Sequence, residues 1–171
     1  LLREVESLMR PQAQLKSLAL HIDADVGVPE KARADRTRVK QILFNLVNNA
    51  VKFSDRGVVV VDLRRATAGD GSEQLEFVVT DTGIGMDEVT QANLFKRFVQ
   101  GDSSRSRRHG GTGLGLEISR NLARLMGGDI TVRSQLGEGS RFTFSLPLVE
   151  ARDPPAAAAG AAGRATPAAR A

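Results

Sequence analysis

Asn45 and Asn49 stand four residues apart in NLVNNAVKF (45–53), a spacing that on a helix sends both amides from one face. An amide oxygen is a hard, neutral donor suited to Mg²⁺, an ion that keeps several waters and takes other ligands from phosphates. Lys52, three residues further on, can neutralise phosphate charge. Asp81 closes an apolar run and opens DTGIG (81–85). A carboxylate at that point can accept a hydrogen bond from the exocyclic amine of adenine, while Gly83 and Gly85 let the backbone come close to a base. GGTGLGL (110–116) leads into an amphipathic stretch, so its amides and the following helix N-terminus can hold a phosphate chain.

Each motif alone has a plainer reading. Asn45, Asn48 and Asn49 also suit a helix surface or cap. A strand ending in Asp-Gly is a common turn, and Asp-Thr-Gly is the signature of aspartic proteases. That protease needs a second aspartate to share a proton. The chain holds a single Asp-Thr-Gly, so a protease would have to be a dimer, and the other two motifs would be left unexplained. The glycine-rich loop follows a polar segment, whereas a Rossmann site needs a strand immediately before it. No G-x-x-x-x-G-K-[ST] occurs, which excludes a P-loop, and the D-F-G and H-R-D elements of eukaryotic-type protein kinases are missing.

The elements that must position these residues follow from periodicity. Leu1, Leu2, Val5, Leu8 and Met9 predict a helix over 1–15, and LALHIDADV (18–26) alternates as a strand. Asp35 is a plausible N-cap for a helix over 36–53. Its buried stripe would be Val39, Ile42, Leu43, Leu46, Val47, Ala50 and Val51, which leaves Asn45 and Asn49 at the edge of a cleft. Residues 58–66 and 74–81 read as neighbouring strands joined by Gly-Asp-Gly, with a short helix near 87–95 after them. The Arg- and Ser-rich segment 101–109 reads as a mobile loop. Leu114–Met126 is amphipathic and stops at Gly127-Gly128, and DITVRS and RFTFSLPL form a closing hairpin around GEGS. The fold class expected is α+β: a two-layer sandwich with one mixed sheet and helices on one face.

Composition sets the limits. A chain of 171 residues, 41% hydrophobic and 26% charged, suits one globular domain with a single core. The net charge of +4 is concentrated at Arg105, Arg107 and Arg108 and in the tail. With no Trp or Tyr to interleave with the basic residues, a nucleic-acid surface is not expected. There is no cysteine, so disulfides and thiolate metal sites are excluded. No apolar run approaches the roughly 20 residues of a membrane span. No signal peptide is visible, and the first residue is not Met, which predicts a piece of a longer protein. The domain is expected over 1–150, with the Ala-, Pro- and Gly-rich 151–171 as a disordered tail or linker.

Taken in this order, the three motifs resemble the N, G1 and G2 boxes of the catalytic ATP-binding domain of bacterial two-component sensor histidine kinases. That domain has the Bergerat ATP-binding fold, shared with type II topoisomerases, heat-shock ATPase chaperones and mismatch-repair ATPases. The resemblance covers about 1–149 and extends to an F box, LFKRF (94–98), and to GEGSRFTFSLP (137–147). It implies that Asn49 holds Mg²⁺ with help from Asn45, that Lys52 meets the phosphates, and that Phe53 is the aromatic residue near the ligand. Asp81 would bind adenine, with Gly83, Ile84 and Gly85 lining the base. Gly111, Thr112, Gly113, Leu114 and Gly115 would form the phosphate loop, and Ser140 stands where the family often has Thr. Residues 86–110 would be a mobile lid over the ATP, with Arg105, Arg107 or Arg108 able to reach the γ-phosphate.

In the topoisomerase branch a water-activating glutamate stands in the place of Asn45. Asparagine cannot act as a general base. The resemblance therefore implies a domain that keeps the γ-phosphoryl of ATP for another acceptor. That acceptor is a histidine followed by Glu or Asp on a helical dimerisation domain; His21 and His109 both lack that context. The helical domain should precede Leu1, a response-regulator receiver should act downstream, and the parent should be a homodimer with the isolated domain monomeric. A cytoplasmic domain, free or anchored to a membrane sensor, is expected. The rival functions are a serine kinase of anti-sigma type, a nucleotide-binding signalling module without catalysis, and a basic nucleic-acid-binding domain.

Overall fold

The computed structural model describes residues 1–95 and 115–150. Helix α1 (Leu2–Leu15) leads into strand β1 (Leu18–Ala24), followed by helix α2 (Arg36–Phe53). Strands β2 (Gly57–Thr67) and β3 (Glu73–Asp81) form a hairpin, and the short helix α3 (Glu88–Asn93) comes next. Helix α4 (Gly115–Leu125) and the hairpin of β4 (Asp129–Gln135) and β5 (Gly139–Pro147) complete the order.

The five strands pair as β1-β2-β3-β5-β4. β1 runs parallel to β2, and the other three pairings are antiparallel. Strand period decides which side chains meet the helices. Val59 and Val61 of β2, Leu75, Phe77 and Val79 of β3, and Phe142, Phe144 and Leu146 of β5 fall on one face and are buried. They form one core with Val5, Met9 and Ala13 of α1 and the stripe of α2. The opposite face carries Asp62, Arg64, Glu76, Thr80 and Thr143. This is the expected two-layer α+β arrangement.

Helix α2 follows its sequence closely. Asp35 caps it by accepting from the Arg38 N–H at 3.0 Å, and the seven stripe residues are all buried. Helix α1 also forms where its apolar spacing predicts. Leu8, part of its apolar periodicity, is 54% exposed, and the buried line is Val5, Met9 and Ala13. Steps of four residues follow the surface of α2 and β1, and Leu8 lies to one side of that line. The α3 helix is shorter than 87–95 and is capped by Asp87, whose carboxylate accepts from Thr90 N–H at 2.7 Å. Residues 96–114 and the tail 151–171 lie outside the described residues; among them are Gly111, Thr112, Gly113, Leu114, the lid arginines, His109 and the last three residues of LFKRF.

Candidate functional site

The C-terminal half of α2 runs beside the end of β3, and the two bring the first two motifs together. Asn45, Asn48 and Asn49 are half-buried, at the border between the buried stripe and solvent. Asn45 is held in place: its Nδ2 donates to Ser119 Oγ of α4 at 2.9 Å. The start of α4 presses on the same amide, for a Cβ added to Gly115 would stand 2.8 Å from Asn45 Oδ1. Gly115 thus allows α2 and α4 to approach where the first amide lies. One turn on, Asn49 makes no side-chain hydrogen bond to another described residue. In the last turn the Lys52 ammonium lies 5.1 Å from the centre of the Phe53 ring, a cation–π distance.

Asp81 is the last residue of β3 and is 6% exposed. It pairs with Val59 on one side and Ser140 on the other, on the helix-covered face of the sheet. Its carboxylate accepts from Gly83 N–H at 2.8 Å and lies beside the backbone of its strand partner Ser140. Burial pushes its pKa up, and the backbones of Gly83 and Ser140 pull against that shift without cancelling it. A buried carboxylate with acceptor capacity to spare is suited to a neutral donor such as an exocyclic amine.

The DTGIG loop is shaped by two close approaches. A Cβ on Gly83 would meet Phe53 O at 2.5 Å, Asp81 Oδ1 at 2.8 Å and Ser54 Oγ at 2.8 Å. Gly85 has φ +63°, and a Cβ there would lie 1.8 Å from Gln135 O. Between them Ile84 is fixed at both ends of its peptide. Its N–H donates to Phe53 O at 3.2 Å, and its carbonyl accepts from Gly137 N–H at 2.7 Å. The Ile84 side chain is left 44% exposed.

Four residues support this site without having been singled out. Ser54 is fully buried, yet its hydroxyl has no hydrogen-bond partner among the described residues. Ser134 accepts from Met86 N–H at 2.8 Å and lies 3.0 Å from Ser140 Oγ, linking the loop after DTGIG to the strand beside Asp81. Gln91 ties α3 to β4 by donating to Ser134 O at 2.9 Å and accepting from Ser134 N–H at 3.0 Å. Ser119 orients Asn45. Only Ser119 had a visible signal, a hydroxyl on the otherwise apolar stripe of an amphipathic helix.

These features fit an adenine nucleotide. The surface over Gly83 lacks a side chain, and it is flanked by a carboxylate, an orphaned buried hydroxyl and the apolar Ile84. Among the described residues no cluster of acidic or histidine side chains could hold a metal. The half-buried amides of Asn45 and Asn49 offer hard oxygen donors of the kind a divalent ion shares with phosphates.

The model of the histidine kinase-, DNA gyrase B-, and HSP90-like ATPase family matches residues 34–150, which span α2, both glycine motifs and the last strand. The chain belongs to this family. Within it the likeness runs to sensor histidine kinases. The sensor histidine kinase AruS of Pseudomonas aeruginosa is 41% identical over 165 residues, 94% of this chain and 16% of the relative. The signal transduction histidine-protein kinase BarA of Escherichia coli K12 is 42% identical over 147 residues, 86% of this chain and 16% of the relative. The chain thus spans about a sixth of either protein's length. Full-length ShkA in complex with AMPPNP superposes with a TM-score of 0.74 at 36% identity, covering 89% of this chain and 30% of that one. A nucleotide-free catalytic domain of histidine kinase ThkA superposes with a TM-score of 0.68 at 27% identity, covering 85% of this chain and 90% of that one. As an ATPase-family domain the chain has the mixed sheet and helical layer of these structures, and no described helix is long and apolar enough to cross a membrane.

Proposed function

We propose that this chain binds Mg²⁺-ATP and donates the γ-phosphoryl group to a histidine on a helical dimerisation and phosphoacceptor domain of the same protein, as the kinase step of two-component signalling. The observation that carries the reading is Asp81: a buried carboxylate at a strand end, followed by a glycine loop that packs against Phe53 and Ser54 at the end of the helix carrying Asn45, Asn49 and Lys52. Asp81 would accept from the adenine amine, and Gly83, Ile84 and Gly85 would line the base with Phe53 near it. Asn49, helped by Asn45, would hold Mg²⁺, and Lys52 would meet the phosphates. Gly111, Thr112, Gly113, Leu114 and Gly115 would wrap the phosphate chain, and Ser140 would support the carboxylate from β5. The bound ion supplies neutralisation of phosphate charge.

The chain's own contribution to transfer is position and charge. Asn45 donates to Ser119 and has no proton-accepting nitrogen, so the site holds ATP beside a side chain that cannot activate water. That favours transfer to an acceptor over hydrolysis. The acceptor histidine and the base that relieves it of its proton belong to the helical domain, and a receiver domain would take the phosphoryl group next. We place the domain at 1–150, with 151–171 as a tail or linker, in the cytoplasm and as part of a homodimer in the longer protein. A serine kinase of anti-sigma type is less favoured, because the curated relatives are sensor histidine kinases.

Phosphotransfer tests the reading. The chain, mixed with labelled ATP and its cognate helical domain, should label that domain in an acid-labile, base-stable form. Acid-stable label on the acceptor, or stable label on this chain alone, would overturn it.

A further inference from the structure

Helix α2 ends without a glycine cap. Its C-cap residue, Ser54, is extended at φ −106° and ψ 129°, so the chain does not fold back to satisfy the last carbonyls. Another element does so. Lys16 Nζ donates to Val51 O at 3.0 Å, Lys52 O at 2.7 Å and Ser54 O at 3.0 Å. An ammonium has three protons, and all three are used here. The contact also sets a positive charge at the negative end of the helix dipole. The remaining carbonyl of that stretch, Phe53 O, accepts from Ile84 N–H.

Lys16 is itself rigidly placed. It is the C-cap of α1, and the next residue, Ser17, has φ +54°, the one non-glycine residue with positive φ among the described residues. Such a conformation costs an L-residue energy and persists where its surroundings demand it. Here it turns the chain from α1 into β1 and leaves Lys16 against α2. The nearby Asp55 carboxylate, 3.9 Å away and 79% exposed, adds little by comparison.

We propose that Lys16 is a positioning residue of the nucleotide site, fixing the last turn of α2 and, through Phe53 O, the Ile84 loop. It touches no proposed ligand. The turn it holds carries Lys52 and Phe53, and the loop that leans on that turn carries Gly83 and Gly85. A displacement of α1 would therefore reach both the phosphate and the base side through one side chain. The inference rests on the nucleotide reading for its functional half only.

The test compares Lys16→Met, which keeps the aliphatic stem and loses the donors, with Lys16→Arg, which keeps both charge and donors. Two readouts are used: amide exchange at Ile84 and residues 52–54, and calorimetric affinity for ADP. In Lys16→Met, exchange at these amides should rise at least tenfold relative to the core, and ADP affinity should fall at least fivefold. Lys16→Arg should restore both to within twofold of wild type. Ile130→Val, a destabilised control remote from this turn, should leave the relative exchange of Ile84 unchanged. Affinity within twofold of wild type in folded Lys16→Met overturns the proposal whatever the exchange shows, because Lys16 would then be a helix cap and no more. If Lys16→Met does not fold, Lys16→Gln supplies the same comparison. If the wild type binds no ADP, the nucleotide reading fails by itself, and the Ile84 exchange alone decides whether Lys16 orders the loop.

Discussion

The base end and the phosphate end of the proposed nucleotide site are built from different materials. Asp81 stands inside the sheet, its register set by Val59 and Ser140 on either side, and the backbones of Phe53 and Gln135 crowd the two glycines after it. Asn45, Asn49 and Lys52 project from a helix surface, half-buried, with Asn45 steadied by a single hydroxyl of α4. One end owes its shape to main-chain pairing, which side-chain changes barely alter. The other owes its shape to side chains that can move. The proposed base end is therefore suited to recognition that is present before a ligand arrives, whereas the proposed phosphate end is suited to being completed by an ion.

The sharpest way to break this contrast is at Gly85. Valine there combines positive φ with overlap on the Gln135 carbonyl, and should cost roughly 3 kcal/mol or more of stability and abolish binding. Thermal unfolding and calorimetry would check it; a stable, binding Gly85→Val variant would mean that the loop is not braced by β4.

Asp81→Asn should weaken nucleotide binding by at least ~1 kcal/mol while leaving the fold at least as stable, since a buried charge is removed. At the other end, Asn49→Ala should reduce the magnesium dependence of ADP binding and spare adenosine. If both variants weaken adenosine equally, the two ends are not separable in the way their construction implies.

Acidity separates two carboxylates by sign. The pKa of Asp81 is raised, chiefly by burial, so its charge costs the fold stability at neutral pH, and that cost is relieved as pH falls through the folded value. Ligand binding runs the other way. A proton on Asp81 removes an acceptor, so adenosine affinity should start to fall above the ordinary carboxylate range. Asp129 is held down to about 2 by hydrogen bonds from Arg120, with smaller help from Ile130 N–H and Arg124. Its contribution is present above the unfolded carboxylate value and is lost as pH falls toward about 2. Acid unfolding of Asp129→Asn should therefore be flatter in that window than wild type, with adenosine binding near neutrality unaffected. This is the smallest of the effects, because Arg120 and Asp129 are partly exposed.

How much of this was legible in the sequence divides along the same line. Helix α2 could be read residue by residue, since a 3.6-residue stripe and an Asp cap are both local signals. So could the position of Asp81, at the end of an apolar strand and before glycine. Ser134 could not, because its role arises from lying opposite Ser140 across a hairpin, and register is not written locally. Ser54 and Lys16 escaped for a similar reason. One is a short polar residue whose burial depends on what covers it, and the other serves carbonyls 35 to 38 residues away.

The most direct measurement is a calorimetric titration of this chain with ADP, with and without Mg²⁺, beside the same titration of Asp81→Asn. One site per chain is expected, tighter with magnesium and weakened by the substitution. No binding by well-folded wild-type protein, or equal binding by wild type and Asp81→Asn, would contradict the proposed nucleotide site.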